Sequence, residues 1–177
     1  MTKQEHIILV DQNDNAIGTA EKIQAHKEGA LHRAFSVFIY KKQKDSVEIL
    51  LQQRHPDKYH AGNLWTNTCC GHPRPDEKTQ QAAERRLFEE FGIRSSLKEI
   101  GVFQYRATFE NGLTEHEIDH VFINKPQDHD YVIAPNPVEI IDYKWISIDD
   151  LKTELQHSPE KYTPWFQQAL EIFLSTI

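Results

Sequence analysis

Residues 71–93 read GHPRPDEKTQQAAERRLFEEFGI, and no other stretch of the chain says as much about the fold. Asp76 can cap a helix that begins at about Glu77, and Gly92 ends that helix after Phe91. Side chains three and four positions apart share one face of a helix, so two Arg–Glu pairs lie side by side there. Two surface ion pairs are the ordinary interpretation of such a face, and each contributes little stability.

Eight residues of this stretch follow the pattern Gly-x5-Glu-x7-Arg-Glu-U-x-Glu-Glu-x-Gly-U, in which U is apolar. They are Gly71, Glu77, Arg85, Leu87, Glu89, Glu90, Gly92 and Ile93. The pattern is the Nudix box, so the chain resembles the Nudix superfamily. This resemblance implies an α/β/α sandwich in which the helix presents carboxylates to a diphosphate-bound Mg2+, an ion that favours carboxylate and phosphate oxygens.

One position departs from the pattern, because Arg86 stands where the box has Glu. A cationic side chain does not bind a metal ion, but it does bind phosphate. The stretch therefore predicts recognition of a diphosphate and weakens the case for pyrophosphate hydrolysis.

Outside this helix, apolar runs between polar turns predict seven strands. They cover residues 7–10, 17–20, 33–40, 47–53, 97–108, 113–123 and 143–146. Further helices are predicted at 21–27 and 147–155, and a last helix opens at Thr163-Pro164 with Pro in its first position. The connections at 54–67 and 126–137 are predicted loops. Strands mixed with a few helices predict the α/β class, as a sandwich with a mixed sheet and helices on both faces.

The bulk properties of the chain narrow its function class. A length of 177 residues suits one compact domain, so a single domain over 1–177 is expected. A net charge of −7 without any basic run argues against a nucleic-acid partner. The apolar run at 7–10 is too short for a signal peptide or a membrane span. Adjacent Cys69 and Cys70 give no disulfide framework, which favours a cytoplasmic setting, and a monomer is the default expectation.

Acidic and imidazole side chains recur at spacings that suit a metal ion. Glu115 and Glu117 point to one face of the predicted strand 113–123, where they repel each other unless a cation or a shared proton intervenes. His26, His32 and His72 add three imidazoles. Singly, each would be interpreted as an ordinary surface residue. Together the five predict a site for Mn2+, Mg2+ or Zn2+, among which ligand type alone does not choose.

A second resemblance covers nearly the whole chain. Its motifs are Glu21-Lys22-x3-His26, Leu31-His32-x-Ala34-Phe35-Ser36, Leu64-Trp65-Thr66-Asn67-x2-Cys70-Gly71-His72-Pro73, Arg85-Arg86-x3-Glu90-x-Gly92, Tyr105-Arg106-Ala107, Glu115-x-Glu117 and Pro164-Trp165. In these motifs the chain is similar to the type I isopentenyl-diphosphate isomerases, a Nudix-fold family whose own box carries the second Arg. Of the two thiols, Cys70 matches the family cysteine because it directly precedes Gly-His.

The isomerase resemblance implies the interconversion of isopentenyl diphosphate and dimethylallyl diphosphate through a tertiary carbocation. It assigns Cys70 and Glu117 to two opposed proton transfers, with Tyr105 tuning the carboxylate. It assigns Trp165 to the cation, which an indole face stabilises. The site must exclude water, because water would trap the cation.

The resemblance also implies groups for the diphosphate and for two metal ions. The diphosphate contacts four cations, which are Lys22, Arg54, Lys58 and Arg86. Glu90 holds Mg2+ against the diphosphate oxygens. A further divalent ion, Mn2+ or Mg2+ with Zn2+ left open, binds the five residues His26, His32, His72, Glu115 and Glu117.

Ordinary interpretations and rival functions stay open at this point. A lone Cys is most often an inert buried side chain, as Cys69 is expected to be, and Tyr105 and Trp165 are equally typical core aromatics. A Nudix pyrophosphohydrolase acting on a nucleoside diphosphate derivative explains the box but not Cys70 or the histidines. A catalytically silent module that binds a metal or a diphosphate explains the ligands without any proton transfer.

Overall fold

The computed structural model describes residues 5–125 and 130–177, and it confirms the α/β class. The described strands are β1 His6–Val10, β2 Ala16–Glu21, β3 His32–Phe38, β4 Tyr40–Lys42, β5 Val47–Arg54, β6 Trp65–Thr66, β7 Cys69–Gly71, β8 Leu97–Thr108, β9 Thr114–Asn124 and β10 Ile140–Ser147. The described α-helices are α1 Lys22–Glu28, α2 Thr79–Phe91, α3 Ile148–His157 and α4 Phe166–Leu174.

The strands form two sheets. The larger has the order β2-β1-β3-β9-β8, and β7 also pairs with β3. The smaller has the order β10-β5-β4, and β6 also pairs with β5. Strands β3 and β9 run parallel whereas the other pairs are antiparallel, so the predicted mixed sheet is confirmed.

Helices cover both faces of the larger sheet, as predicted. Side chains alternate along β3, so this strand offers apolar side chains to a helix on each face. Phe35 and Val37 pack in one apolar cluster with Leu87 and Phe91 of α2. Phe38 points the other way and packs in a second cluster with Phe173 of α4. Fully buried aromatic side chains on both faces hold the helices against the sheet, since each removes a large apolar area from water.

The predicted strand 33–40 proves to be two strands. It divides at Ile39 between β3 in the larger sheet and β4 in the smaller one. Ile39 is fully buried and its carbonyl accepts a hydrogen bond from Leu50, so the apolar pattern continues without a break across the junction. The pattern could therefore not mark where the chain passes from one sheet to the other.

The ends of the charged helix α2 were predicted with mixed success. The helix ends as expected at Gly92, which adopts a left-handed φ of 69° that glycine tolerates. The cap at Asp76 is wrong, because Asp76 has a φ of 65° in a preceding turn and an N-cap needs extended backbone. The helix begins instead at Thr79, and Lys78 precedes it without a side-chain cap.

Other boundaries shift by a few residues. The last helix begins at Phe166 and not at Pro164, which lies in the turn before it. Ser147 caps α3 as predicted, since its hydroxyl accepts a hydrogen bond from the Asp150 amide. The loop predicted at 54–67 contains β6 near its end. In the loop predicted at 126–137, residues 130–136 have no helix or strand and 126–129 lie outside the described residues.

Among the described residues, no helix combines the length and the apolar character that crossing a membrane would require.

Candidate active site

The site is built around Glu117 in the central strand β9. Glu117 is in register with His32 on the parallel strand β3 and with Tyr105 on the antiparallel strand β8. The Tyr105 hydroxyl donates a short hydrogen bond to Glu117. Glu115 precedes Glu117 by two residues and points to the same face, so the expected pair of carboxylates does lie together.

Two of the histidines are oriented by backbone carbonyl groups. The Nδ1 atom of His26 lies 2.6 Å from the carbonyl oxygen of Lys22, and Nδ1 of His32 lies 2.8 Å from that of Ala30. A carbonyl only accepts, so each Nδ1 carries a proton and each Nε2 is left to point toward the carboxylates. Imidazoles held in this way present Nε2 as a ligand to a metal ion.

Five of the predicted ligands meet at one point. One ligand atom from each lies within 4.8 Å of all the others, and the residues are His26, His32, His72, Glu115 and Glu117. Separations inside the group are 2.8 Å for His72 Nε2 to Glu117 Oε1 and 3.1 Å for His26 Nε2 to Glu115 Oε2. We call these five residues the His/Glu cluster.

The chemistry of the His/Glu cluster fits a divalent cation. Nε2 of His26, Nε2 of His32 and Oε2 of Glu115 are buried without a well-formed hydrogen bond to any described residue. Buried polar atoms in proteins nearly always have a partner, and a cation between these three atoms would serve all of them. Three imidazoles and two carboxylates form a donor set that divalent transition metals accept.

Burial and mutual contact shift the pKa values in the cluster. Burial favours the neutral form of Glu115, but the nearby imidazoles of His26, His32 and His60 outweigh burial and hold the pKa of Glu115 well below the usual range. Burial also opposes charge on His32, yet contacts with Glu115 and Glu117 raise its pKa to about 10. For His72 burial prevails and lowers the pKa to about 4. Glu115 is thus a carboxylate and His72 a neutral imidazole near neutral pH.

The two thiols lie in different surroundings. Cys69 is fully buried in the apolar cluster beneath α2, as its inert assignment requires. Cys70 faces a cavity, and its thiol donates to Asn67 Oδ1 over 3.2 Å. Burial raises the pKa of Cys70 to about 12, so this thiol keeps its proton near neutral pH.

One cavity of about 860 Å³ collects most of the predicted residues. Cys70, Tyr105, Trp165 and both cluster carboxylates line it, together with the four predicted cations. Trp165 is 3% exposed, and its ring centroid lies 6.0 Å from that of Tyr105. Two buried aromatic rings therefore line the same cavity as the thiol and the carboxylates.

The four cations also line this cavity, with Arg54, Arg86 and Lys22 near enough to Lys58 to act on its charge, and we call their part of the cavity the cation end. Three of them, Lys22, Lys58 and Arg86, already contact carboxylates of the same chain. Lys22 contacts Glu5 at 2.8 Å, and Lys58 contacts Glu139. Arg54 donates to the backbone carbonyls of residues 60 and 61, both at 3.1 Å.

Glu90 lies at the cation end and is not part of the His/Glu cluster. It is 2% exposed, and its two oxygens accept hydrogen bonds from Arg86 and from Gln52. Arg86 also lies 3.3 Å from Glu139. Arg86 also donates to Glu89 over 3.0 Å, so the residue that departs from the box pattern contacts three carboxylates.

Three further buried or half-buried residues line the cavity without having been predicted. His60 contacts Glu115, and Glu139 contacts Lys58 and Arg86. Asp119 accepts a hydrogen bond from Ser36, and burial raises its pKa well above the usual range. Asp119 could have been found, since it continues the Glu115–Glu117 alternation along β9. His60 and Glu139 lie outside regular structure and gave no such signal.

Comparison with known proteins gives three results. The sequence profile of the NUDIX domain matches residues 30–166. A protein of Photobacterium profundum described as isopentenyl-diphosphate Delta-isomerase is 47% identical over 100% of this chain and 98% of its own. A second such isomerase, from Aromatoleum aromaticum, is 44% identical over 97% of this chain and 88% of its own.

The fold is also found in solved structures. A crystal structure of a Deinococcus radiodurans protein superposes with a TM-score of 0.74 over 98% of this chain and 100% of that chain. The two sequences are 17% identical, so the likeness concerns the fold alone.

Proposed function

This chain belongs to the isopentenyl-diphosphate Delta-isomerase family and carries a NUDIX domain, and from that membership we propose how its cavity works. The chain is an isomerase that interconverts isopentenyl diphosphate and dimethylallyl diphosphate. In our proposal Cys70 and Glu117 carry out two proton transfers at the hydrocarbon part of the substrate. The cation end of the cavity holds the diphosphate.

The reaction moves a double bond by one position, so one proton is added and another is removed. The first bonds to the terminal carbon of the double bond and leaves a tertiary carbocation, and the second is lost from the allylic carbon. One of Cys70 and Glu117 gives the proton and the other takes it, and the roles exchange in the reverse direction. The single observation behind this proposal is that a thiol and a carboxylate line one cavity beside the His/Glu cluster.

Two aromatic side chains support the proton transfers. Tyr105 donates its hydroxyl hydrogen to Glu117, which orients the carboxylate toward the cavity. The Trp165 indole face stabilises the developing cation without attacking it as a nucleophile would. Because both rings are almost fully buried, they also keep water from the carbocation.

We propose that the His/Glu cluster holds one divalent ion, Mn2+, Mg2+ or Zn2+. The buried Nε2 atoms of His26 and His32 and Oε2 of Glu115 would gain in this ion the partner that no described residue gives them. When bound, the ion would supply positive charge that offsets the repulsion between the neighbouring side chains of Glu115 and Glu117. Glu117 then serves both as a ligand and as a proton-transfer group.

At the cation end, Lys22, Arg54, Lys58 and Arg86 bind the diphosphate oxygens. Charge-assisted hydrogen bonds from several donors suit the high charge of this group. Glu90 is the residue there for a diphosphate-bound Mg2+, which prefers to share carboxylate and phosphate oxygens. For Glu90 to do so, it must release the hydrogen bond from Arg86.

The rival hydrolase is less well supported by this cavity. Arg86 occupies a box position where a hydrolase would need a carboxylate, and hydrolysis of a pyrophosphate bond has no use for the Cys70 thiol. A silent binding module would give no role to the Cys70 thiol and the Glu117 carboxylate that line the same cavity. Release of phosphate from a panel of nucleoside diphosphate derivatives would restore the hydrolase.

Nuclear magnetic resonance tests the proposed chemistry. Isopentenyl diphosphate is incubated in D2O with the purified protein and Mg2+ plus Mn2+. We expect the dimethylallyl isomer to appear with deuterium at the newly protonated carbon. Tight diphosphate binding without any deuterium exchange would identify a silent module and would overturn the proposal.

The wider context follows from the substrate. We propose that the protein acts in isoprenoid biosynthesis, in the cytoplasm and as a monomer, with a small isoprenoid diphosphate as its partner and without nucleic acid or membrane. A cavity of about 860 Å³ supports a small-molecule substrate. Size-exclusion chromatography with light scattering tests the monomer.

A further inference from the structure

His60 is a buried histidine to which no role has been given. It is 5% exposed, and its Nε2 atom is in direct contact with Oε1 of Glu115. Neither ring nitrogen makes a well-formed hydrogen bond to any other described residue. Burial of such a polar ring costs free energy unless a hydrogen bond, here to the Glu115 carboxylate, compensates for it.

The two oxygens of Glu115 face different partners. Oε2 faces the His/Glu cluster, at 3.1 Å from His26 Nε2 and 3.6 Å from His32 Nε2. Oε1 faces His60 on the other side. His60 is not among the five residues whose ligand atoms lie within 4.8 Å of one another, so it stands behind the carboxylate and not beside the ion.

The ring of His60 is fixed in its orientation. It stacks on Phe109 with 4.6 Å between centroids and an angle of 8° between planes. Its edge meets Trp165 at 5.9 Å. Arg54 holds the backbone, since its guanidinium donates to the His60 carbonyl over 3.1 Å. With two contacts to its ring and one to its backbone, His60 can fix the orientation of the Glu115 carboxylate that it touches.

We propose that His60 is a positioning residue for the metal centre, whose Nε2–H donates to Oε1 of Glu115 and thereby directs Oε2 toward the ion. This inference rests on the proposed function, because it requires the His/Glu cluster to bind a metal. A carboxylate ligand fixed by a hydrogen bond loses less rotational freedom when the ion binds. His60 also joins Glu115 to Arg54, so it links the His/Glu cluster to the cation end.

Calorimetric titration of metal-free protein with Mn2+ tests this role, combined with electron paramagnetic resonance of the bound ion. Three variants are compared with the parent. His60→Ala removes the donor, His60→Gln keeps an N–H near the position of Nε2, and His157→Gln changes an exposed histidine on α3 far from the cavity.

We expect His60→Ala to weaken Mn2+ binding by about 10- to 100-fold and to alter the resonance spectrum, as is typical when such a supporting contact is lost. His60→Gln should recover most of the affinity and the parental spectrum, and His157→Gln should match the parent. Because the glutamine variant keeps a polar group of similar length, it tests the role even if the alanine variant fails to fold.

The outcomes separate the two proposals. If the parent binds no Mn2+, the metal site itself is wrong. If the parent binds Mn2+ and folded His60→Ala binds it equally tightly with the same spectrum, only the role of His60 is wrong. If His60→Gln has the low affinity of His60→Ala, the hydrogen-bond donor is not what matters, and the inference also fails.

Discussion

The two ends of the cavity differ in whether their polar groups already have partners. In the His/Glu cluster, buried nitrogen and oxygen atoms lack well-formed hydrogen bonds to described residues. At the cation end, Lys22, Lys58 and Arg86 each contact a carboxylate of the chain. The first end is arranged to receive an ion, whereas the second must exchange internal partners for a substrate.

This difference suggests how the two ends act. An ion resident in the His/Glu cluster would satisfy buried atoms that nothing else satisfies, so it should stabilise the fold. A diphosphate bound at the cation end, as we propose, would have to displace Glu139 from Lys58 and Arg86, and this exchange would weaken its binding. Weaker binding there would ease the release of product.

The largest expected effect is on turnover, when one of the two proposed proton-transfer groups is removed. Cys70→Ala and Glu117→Gln should each lower kcat by about 10²- to 10⁴-fold or more, since they remove an acid–base group. Binding of isopentenyl diphosphate to Cys70→Ala should persist, as measured by calorimetry. Cys69→Ala is the matched control, because its thiol is buried in the apolar cluster and should not affect kcat. Normal turnover by Cys70→Ala would remove this thiol from the mechanism.

The next effect concerns the stability that the ion contributes. Mn2+ at 100 times its dissociation constant should raise the free energy of unfolding by about 2.7 kcal/mol over metal-free protein. Denaturant unfolding with and without chelator measures this difference. In a Glu115→Ala variant the gain should shrink at the same Mn2+ concentration. If the parent unfolds at the same denaturant concentration with Mn2+ and with chelator, the His/Glu cluster does not gain stability from an ion, and the proposed difference between the two ends is wrong.

Lys58 gives the cation end a dependence on pH. Burial is the main cause that lowers the pKa of Lys58 to about 8. The positive charges of Arg54, Arg86 and Lys22 lower it further, whereas the negative charge of Glu90 raises it. Glu139 is in direct contact with the ammonium group. Below that pH Lys58 is charged and available for the diphosphate binding that we propose, and above it the charge is lost.

The ratio kcat/KM should therefore fall as pH rises through about 8, by roughly 10- to 100-fold for one lost charged hydrogen bond. This ratio reports groups of the free enzyme. Lys58→Arg keeps its charge at every relevant pH, so its profile should lack this descending limb. The same limb in Lys58→Arg would show that another group is responsible.

The smallest effect is expected from Glu139, the carboxylate that contacts Lys58 and Arg86 at the cation end. Glu139→Gln should lower the KM for isopentenyl diphosphate by about two- to fivefold, which is the scale of a partly exposed ion pair. Its kcat should stay unchanged. Asp142→Asn, an exposed change of the same charge on β10, is the control for net charge. A higher KM for Glu139→Gln would mean that this carboxylate helps to hold the substrate.

The sequence predicted those features whose signal is local. Alternation along β9 placed Glu115 and Glu117 on one face, and Gly92 marked the end of α2 because it alone tolerates the left-handed φ there. Strands β6 and β7 were missed because two or three residues carry no periodicity of their own. Their existence depends on pairing with β5 and β3, which are distant in sequence.

Cavity residues, too, were predicted only where a local sequence motif marked them. The residues of the His/Glu cluster lie in recognisable motifs, and the structure brings them together. His60 lies in an irregular connection and Glu139 at the edge of β10, where a single polar residue is ordinary. Only the packing of these connections against β9 and α2 reveals that both side chains face the cavity.

Anomalous diffraction from a crystal of the protein loaded with Mn2+ tests the central claim most directly. The account predicts a strong peak within bonding distance of the Nε2 atoms of His26 and His32 and of the carboxylates of Glu115 and Glu117. Absence of a peak there at full Mn2+ loading, with the metal bound elsewhere, would contradict it.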